Sequence, residues 1–191
     1  MNRENLVKFI VEGIKDGVFV EIGTFGGGFA DHILSCNPTA TIYCIDPYIG
    51  YDNYDDSMNN TVGDKMFEEV KGRLTAKYGE RVKFIRKFSE DALNDIPNNI
   101  DFLYIDGNHR YTYALKDLEL YYPKVKANSY IVGDDAHDID DSMRNENGDV
   151  RIDWEPNCFG HYGVVKAFNE FTKKHDLMGS IIGTQYLTKK K

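Results

Sequence analysis

The chain has 191 residues and a formal net charge of −8. This length suits one domain with a full hydrophobic core, so we predict a single domain over residues 1–191. The acidic balance argues against a nucleic-acid partner held by a basic surface. No apolar run reaches membrane-spanning length, and residues 1–15 mix charges in an amphipathic pattern that is unlike a signal peptide. We therefore expect a cytoplasmic protein without a membrane contact. Its three cysteines, Cys36, Cys44 and Cys158, follow no metal-binding or disulfide spacing.

Helices and strands alternate along the chain. Apolar residues at helical spacing predict helices at 5–15, from a glycine-rich turn to about residue 35, and at 64–77, 112–122 and 164–174. Short apolar runs predict strands at 18–22, 40–46, 81–87, 100–105 and 129–132, and a terminal strand pair within 177–188. The segment Ser89-Glu90-Asp91 is typical of a helix cap. This alternation indicates an α/β protein with an open parallel sheet and right-handed crossovers.

The glycine-rich segment that follows the first strand is the most informative part of the sequence. Glycines let backbone N–H groups approach a ligand closely, and the N-terminus of the following helix adds partial positive charge. Gly23 and Gly28 match the first and sixth positions of the dinucleotide fingerprint, but Phe25 stands where its middle glycine belongs, which argues against NAD. The carboxylate of Glu21 would repel a pyrophosphate and attract an ammonium group, such as that of S-adenosylmethionine.

We therefore predict that this segment holds S-adenosylmethionine, and the alternative is a tight turn without a ligand. The residues predicted to contact the cofactor here are Glu21, Gly23, Thr24, Phe25 and Gly27. Asp46 ends the second predicted strand, where an acidic residue of nucleotide-binding folds accepts hydrogen bonds from the ribose hydroxyls. The alternative for Asp46 is an exposed loop aspartate.

Acidic residues also follow the fourth and fifth predicted strands. Asp106 ends one of them, and Asp134 and Asp135 end the other. Neighbouring strand ends bring these carboxylates to one rim, where they repel one another unless a cation such as Mg²⁺ or Ca²⁺ intervenes. The alternative is that they cap helices and loops. His109 and His137 follow closely and are candidate general bases, although either could equally be structural or exposed.

Four segments occur in the order and spacing of class I S-adenosylmethionine-dependent methyltransferases. These segments are Glu21-Ile22-Gly23-Thr24-Phe25-Gly26-Gly27-Gly28, Ile45-Asp46-Pro47, Tyr104-Ile105-Asp106-Gly107-Asn108-His109 and Val132-Gly133-Asp134-Asp135. The chain most resembles the small branch that contains the macrocin-type sugar O-methyltransferases, over about residues 9–188. The resemblance implies a Rossmann-like fold, with an open, mostly parallel sheet, helices on both faces and an antiparallel C-terminal strand.

The resemblance also implies roles for individual residues. Glu21 and Gly23 would lie beside the methionine part of the cofactor, and Asp46 would bind its ribose. Ser89 and Glu90 match the place where such enzymes contact adenine, and Asp106 would also border the cofactor. Asp106, Asp134 and Asp135 match the metal-binding acids of the catechol-type O-methyltransferases, whose third ligand is an amide where this chain has Asp135.

Two histidines compete for the role of general base. His109 falls where the catechol-type enzymes carry a lysine base, and His137 falls where the macrocin-type enzymes carry a histidine base. We favour His137, because it follows the Asp134-Asp135 pair by two positions and can lie beside a metal-bound hydroxyl without being a ligand. The expected reaction is in-line methyl transfer to oxygen, with a divalent cation that orients the substrate and lowers the pKa of its hydroxyl.

The segments 48–61 and 136–162 are predicted to be loops that cover the substrate. They are rich in Tyr, Asp and Asn, which suit a small hydroxylated substrate such as a sugar. Two other functions stay open, namely an Fe(II)-dependent oxygenase on the same scaffold and a module that binds the cofactor or a sugar without turnover. A homo-oligomer is compatible with the sequence.

Overall fold

A computed structural model of the protein describes residues 2–50, 62–136 and 161–191. Its centre is a seven-stranded sheet in which the strands follow the order β3-β2-β1-β4-β5-β7-β6. Strands β1 to β5 are parallel, whereas β7 is antiparallel to β5 and β6 is antiparallel to β7. The strands are β1 Val18–Ile22, β2 Thr41–Ile45, β3 Val82–Ile85, β4 Ile100–Ile105, β5 Val125–Gly133, β6 Gly179–Ile182 and β7 Gln185–Lys189.

Five α-helices accompany the sheet in the described residues. They are α1 Arg3–Val11, α2 Gly28–Cys36, α3 Asp64–Tyr78, α4 Tyr111–Tyr121 and α5 His161–Lys174. The first helix begins two residues before its predicted start, because the side chain of Asn2 accepts a hydrogen bond from the backbone N–H of Asn5 and caps it. The predicted helix cap at 89–91 is a single 3₁₀ turn, Ser89–Asp91.

Alternation of side chains along the strands places helices on both faces of the sheet. Phe102 and Tyr104 of β4 belong to a buried cluster with residues of α1, α2 and α3, whereas Leu103 and Ile105 belong to a second cluster with residues of α4 and α5. Successive strand residues point to opposite faces, so β4 is buried on both sides. The predicted α/β fold, with its mostly parallel sheet and antiparallel C-terminal pair, is confirmed.

One predicted strand is much longer than its apolar run. We predicted β5 at 129–132, but it begins at Val125 and passes through the exposed residues Lys126, Ala127 and Asn128. The ladder is irregular in this part, because the pairing of β4 with β5 shifts register between Ile100 and Phe102. Exposed polar residues at the start of a strand carry no apolar pattern, so the sequence could not mark this boundary. Within the described residues, we find no helix with the length and apolarity needed to cross a membrane.

Strand β1 lies where the strand order reverses, and this position determines where a ligand can bind. The chain runs outward from β1 to β2 and β3 and then returns to β4 on the other side of β1. Helices that leave β1 and β4 on opposite faces open a crevice at the carboxyl ends of these strands. The residues that follow β1, β2, β4 and β5 therefore meet at one edge of the sheet.

Candidate active site

A cavity of about 430 Å³ opens at the carboxyl ends of β1, β2 and β4. Its volume lies within the range of small-molecule and cofactor sites. The wall includes seven of the predicted site residues, namely Gly23, Phe25, Asp46, Ser89, Glu90, Asp106 and His109. The sequence therefore located the cavity, which lies in the crevice expected for a nucleotide-like ligand.

The glycine-rich turn brings two loops into close contact. Gly23 has a φ of 87°, and a Cβ atom there would lie 1.9 Å from the carbonyl oxygen of Asp106. Only glycine fits this left-handed position against the loop after β4. Gly27 has a φ of 67°, and its backbone N–H donates to the carbonyl of Thr24 at 2.7 Å. Thr24 and Gly27 shape the turn and are not among the described residues of the cavity wall, so their contact with the cofactor stays a prediction.

Asp46 stabilises the loops on both sides of the cavity mouth. Its two carboxylate oxygens accept hydrogen bonds from the backbone N–H groups of Phe25, at 2.8 Å, and Tyr48, at 2.7 Å. Both donors have left-handed backbone conformations, with φ of 44° and 51°, which the carboxylate helps to hold. Burial raises the pKa of Asp46, and the two backbone hydrogen bonds oppose that rise. Each oxygen keeps a lone pair that can accept a ribose hydroxyl.

Glu21 is a buried carboxyl group that forms no ion pair with the described residues. Its side chain is 1% exposed, and its Oε2 atom has no hydrogen-bond partner among the described residues. Burial raises the pKa of Glu21 to about 8, and the charges of Asp106 and Asp46 add to the effect. A positive group in the adjacent cavity would stabilise the ionised form. The surroundings of Glu21 therefore fit the ammonium and sulfonium charges of S-adenosylmethionine better than a pyrophosphate.

The far end of the cavity is formed by the 3₁₀ turn after β3 and by α4. The hydroxyl of Ser89 donates a hydrogen bond to Asp117, and the hydroxyl of Tyr121 donates to the backbone carbonyl of Ser89 at 2.7 Å. Glu90 forms an ion pair with Lys116, with 2.9 Å between Oε1 and Nζ. Burial raises the pKa of Asp117 to about 7, although the hydrogen bond from Ser89 opposes the rise.

Asp117 lines the cavity, and the sequence analysis did not identify it. A signal for it was present, because Ala114, Leu118 and Tyr121 form the buried face of α4 and Asp117 is an acid on that same face. A charged residue at a core position of an amphipathic helix is unusual and indicates a specific partner.

Asp106, His109 and Asp135 form an acidic rim beside the cavity. The Nε2 atom of His109 lies 3.0 Å from Oδ2 of Asp135 and 3.5 Å from Oδ1 of Asp106. One ligand atom from each residue lies within 4.8 Å of the others, so the three residues could hold a metal ion. Asp135 has a φ of 60°, and its backbone N–H donates to Oδ1 of Asp134 at 2.8 Å. This turn directs the two consecutive carboxylates to different partners.

His109 is a cation within this rim. Burial lowers its pKa, but hydrogen bonds with Asp106 and Asp135 and the charges of both carboxylates outweigh burial and raise the pKa to about 10. Burial also raises the pKa of Asp106. At neutral pH His109 therefore carries both ring protons, which suits it to hold the two carboxylates together. An imidazolium cannot accept the proton of a substrate hydroxyl.

Asp134 lies outside the group of three and has its own partners. Its Oδ2 atom accepts a hydrogen bond from Arg3 at 2.5 Å, and its Oδ1 atom accepts hydrogen bonds from Thr184 at 2.9 Å and from Gln185. Arg3 also lies 3.8 Å from Oδ2 of Asp106. The predicted metal set of Asp106, Asp134 and Asp135 therefore divides in the structure, where His109 rather than Asp134 joins the other two.

Arg3 is a second residue that the sequence analysis missed. Its guanidinium packs on the ring of Phe29, 4.6 Å from the ring centroid. Arg3 lies in α1, far in sequence from its partner Asp134. No local pattern connects the first helix with the end of β5, so only the tertiary structure reveals this contact. His137 and most of the predicted loops, residues 51–61 and 137–160, lie outside the described residues. The choice of His137 as base stays a prediction.

Comparisons with known proteins agree with this geometry. Residues 20–136 match a family described as a methyltransferase domain. An uncharacterized protein of Acanthamoeba polyphaga mimivirus is 33% identical over 128 residues, which cover 64% of this chain and 53% of that protein. The match thus spans about half the length of this relative.

Solved structures share the fold at low sequence identity. A proposed caffeoyl-CoA O-methyltransferase from Staphylococcus aureus has a TM-score of 0.71 and 16% identity, over 100% of this chain and 85% of its own. The O-methyltransferase NovP has a TM-score of 0.65 and 20% identity, over 98% and 79%. An S-adenosylhomocysteine-bound methyltransferase from Podospora anserina has a TM-score of 0.64 and 15% identity, over 99% and 78%.

Proposed function

Because the chain belongs to the methyltransferase domain family, we propose that the protein transfers the methyl group of S-adenosylmethionine to a hydroxyl oxygen of a small molecule. One observation carries this proposal. Asp106 belongs both to the wall of the cavity and to the acidic rim with His109 and Asp135. A cofactor in the cavity and a hydroxyl held at the rim would therefore meet beside Asp106, as in-line transfer requires.

The cofactor supplies an electrophilic methyl group on a sulfonium, and the residues of the cavity orient it. Asp46 would accept the ribose hydroxyls, because both of its oxygens face the mouth and are already held by backbone N–H groups. Ser89 would border the base at the far end of the cavity. Gly23 would border the methionine part, since it lines the cavity and its lack of a side chain lets the turn pack against the backbone of Asp106. A cationic ligand would stabilise the ionised form of Glu21, whose pKa burial raises to about 8.

We further propose that one divalent cation binds at Asp106, His109 and Asp135. Carboxylate oxygens suit Mg²⁺, and an imidazole extends the set to ions such as Mn²⁺. His109 would give up its extra proton on binding, because a ligating imidazole is neutral. The ligand set predicted from the sequence, with Asp134 in place of His109, requires Asp134 to leave Arg3. Variants at His109 and Asp134 therefore distinguish the two sets.

The proposed base is His137. The methyl group would pass to a hydroxyl oxygen of the substrate as the S–C bond breaks, and the sulfur would keep the bonding electrons as a neutral thioether. The hydroxyl proton passes to the base, which must therefore be neutral beforehand. His109 does not meet this condition while it lies between two carboxylates. His137 is therefore the better of the two candidates.

The proposed substrate is a small hydroxylated molecule, for example a sugar. Support comes from the Tyr, Asp and Asn content of segments 48–61 and 136–162 and from the O-methyltransferases among proteins of the same fold. A cytoplasmic location, a single domain and a homo-oligomer remain part of the proposal. The Fe(II) oxygenase gains no support from the described residues, because the rim has one histidine and two carboxylates, whereas those enzymes use two histidines and one carboxylate.

Calorimetry tests the cofactor directly. The protein should bind S-adenosylhomocysteine and should not bind NAD, and Asp46→Ala should weaken binding by roughly 1–3 kcal/mol through lost charge-assisted hydrogen bonds. Asp176→Ala is a suitable control, because Asp176 pairs with Lys191 on the surface and is not part of the cavity wall. Tighter binding of NAD than of S-adenosylhomocysteine would contradict the proposed function.

A further inference from the structure

Asp117 is a buried carboxyl group that the proposed methyl transfer does not use. It is 4% exposed, lies among the apolar residues of α4 and reaches the wall of the cavity. A carboxyl group in such surroundings is costly unless it has hydrogen-bond partners. Its partners therefore indicate why the helix carries an acid on its buried face.

The partner of Asp117 is the hydroxyl of Ser89, which also lines the cavity. Ser89 donates its O–H to Oδ1 of Asp117. The backbone of the same residue is held from behind, because the hydroxyl of Tyr121 donates to the Ser89 carbonyl at 2.7 Å. Two residues of α4 thus hold the 3₁₀ turn Ser89–Asp91 in place, and one of them also determines the direction of the Ser89 O–H bond.

The direction of that bond decides what Ser89 can offer a ligand. A serine hydroxyl has one proton to donate and two lone pairs that accept. With the proton directed to Asp117, the oxygen of Ser89 presents only lone pairs to the cavity. It can then accept a hydrogen bond from a ligand but cannot donate one.

We propose that Asp117 is a positioning residue that makes Ser89 an obligate hydrogen-bond acceptor and thereby selects a cofactor base with an exocyclic amine over one with an oxo group. The inference rests on the proposed function, because it assumes that the base of S-adenosylmethionine lies beside Ser89. The 6-amino group of adenine donates to the Ser89 oxygen. The 6-oxo group of hypoxanthine has no proton for it, so two acceptors would face each other at this point.

Removal of Asp117 should abolish this selection rather than abolish binding. Without the carboxyl group, the Ser89 O–H can rotate toward the cavity and donate to an oxo group as readily as its oxygen accepts from an amine. A role limited to stability would weaken both ligands equally. A residue that only stabilises the fold would leave the ratio of the two affinities unchanged. This ratio is therefore the quantity to measure.

The test compares S-adenosylhomocysteine with S-inosylhomocysteine, its 6-oxo analogue, by calorimetry at about pH 8, where Asp117 is ionised. The full chain should prefer the amino form about tenfold, and Asp117→Ala should bring the ratio of dissociation constants close to one. Asp117→Asn should keep much of the preference, because its amide oxygen can still accept from Ser89. Ser89→Ala should lose the preference, and the double variant with Asp117→Ala should lose no more.

Glu119→Ala is the matched control. Glu119 is an acid on the same helix that pairs with Lys174 and His175 and is not part of the cavity wall, so its loss should leave the ratio unchanged. An unaltered ratio in Asp117→Ala would overturn the inference while the proposed function stands. If Asp117→Ala does not fold, an unaltered ratio in Ser89→Ala overturns it equally. A full chain that binds neither nucleoside would refute the proposed function, and this inference with it.

Discussion

The two ends of the cavity handle buried carboxyl groups in opposite ways. At the acidic rim, His109 lies between Asp106 and Asp135, and next to the rim Arg3 pairs with Asp134. At the far end, Asp117 has a serine hydroxyl, and burial raises its pKa to about 7. At the rim, nearby cations keep the carboxylates ionised, whereas at the far end burial favours the neutral, protonated form of Asp117.

This difference indicates a division of labour along the cavity. Fixed charges at the rim can hold a cation and orient a reacting hydroxyl, so changes there should lower kcat. Neutral hydrogen-bonding groups at the far end suit recognition of an uncharged base, so changes there should alter the dissociation constant. The predictions below test this division, beginning with the largest effect.

Loss of the cation site at the rim should have the largest effect. Asp106→Asn should lower kcat by more than about 10⁴-fold, because the variant loses a cation ligand and the carboxylate next to the reacting methyl group. Chelation of the wild type should abolish turnover while much of the affinity for S-adenosylhomocysteine remains. Steady-state kinetics and calorimetry on the same samples check both statements. Full activity in excess EDTA would refute a catalytic metal.

The choice of base should have the next largest effect. His137→Ala should lower kcat by about 10²–10⁴-fold with little change in cofactor affinity, because a general base is lost. It should also remove the fall of the rate at acid pH, where a protonated imidazole cannot accept a proton. His109→Ala should instead weaken cation binding, since it removes one of the three ligands proposed from the structure. If the two variants exchange these effects, His109 is the base.

The protonation of Asp117 should appear in the pH dependence of stability. Its pKa is about 7 in the fold and near its ordinary value of 3.8 in the unfolded chain, so between these two pH values the fold binds more protons. The free energy of unfolding should therefore fall as pH rises through this window, by roughly 3 kcal/mol between pH 5 and pH 7.5. Asp117→Asn should remove this part of the decline, which urea unfolding at the two pH values measures.

Glu119→Gln provides a control with the opposite sign. Burial would raise the pKa of Glu119, but its hydrogen bonds with Lys174 and His175 prevail and lower it, so the stability that it contributes is lost only as pH falls below about 4.5. The variant should leave the slope between pH 5 and pH 7.5 unchanged. An identical slope in Asp117→Asn and wild type would show that Asp117 does not release a proton in this range, which contradicts a pKa of about 7.

The sequence predicted the fold better than it predicted the contacts within the site. Hydrophobic periodicity is local, so β4, which is buried on both faces, was predicted residue for residue as Ile100–Ile105. Strand ends at one edge of a parallel sheet must be neighbours, which explains why Asp46 and Asp106 were correctly placed at the cavity.

The contacts that the sequence did not predict depend on residues that are far apart in the chain. The sequence placed Asp134 and Asp135 together as ligands because they are adjacent, but the left-handed backbone of Asp135 turns the two carboxylates apart. Which of them faces a cation then depends on Arg3, from a helix that precedes β1. Asp117 likewise needs Ser89 from another element. Side-chain pairs of this kind leave no spacing pattern, so they could not be read from one sequence.

The smallest predicted effect is on the free energy of unfolding when the ion pair of Arg3 with Asp134 is removed. It tests whether Asp134, next to the rim, needs a cation beside it. Arg3→Met keeps most of the packing on Phe29 but leaves the nearly buried Asp134 with neutral donors, namely Thr184, Gln185 and the backbone N–H of Asp135. Because the Arg3 side chain is 36% exposed, solvent screens the pair, and we expect a loss of about 1–2 kcal/mol in the free energy of unfolding.

The double variant Arg3→Met with Asp134→Asn separates a charge effect from a packing effect. Since it removes the unpaired charge together with its partner, it should recover most of the stability lost in Arg3→Met, as urea unfolding at neutral pH would measure. Glu4→Gln is the control, because the half-exposed Glu4 lies on the same helix and contacts Arg3 only at 3.8 Å. If the double variant is no more stable than Arg3→Met, Arg3 acts through packing on Phe29, and the charge of Asp134 is tolerated without a cation. In that case Asp134 would be free to turn toward the rim. This result would favour the cation ligands predicted from the sequence, Asp106, Asp134 and Asp135, over the set that contains His109.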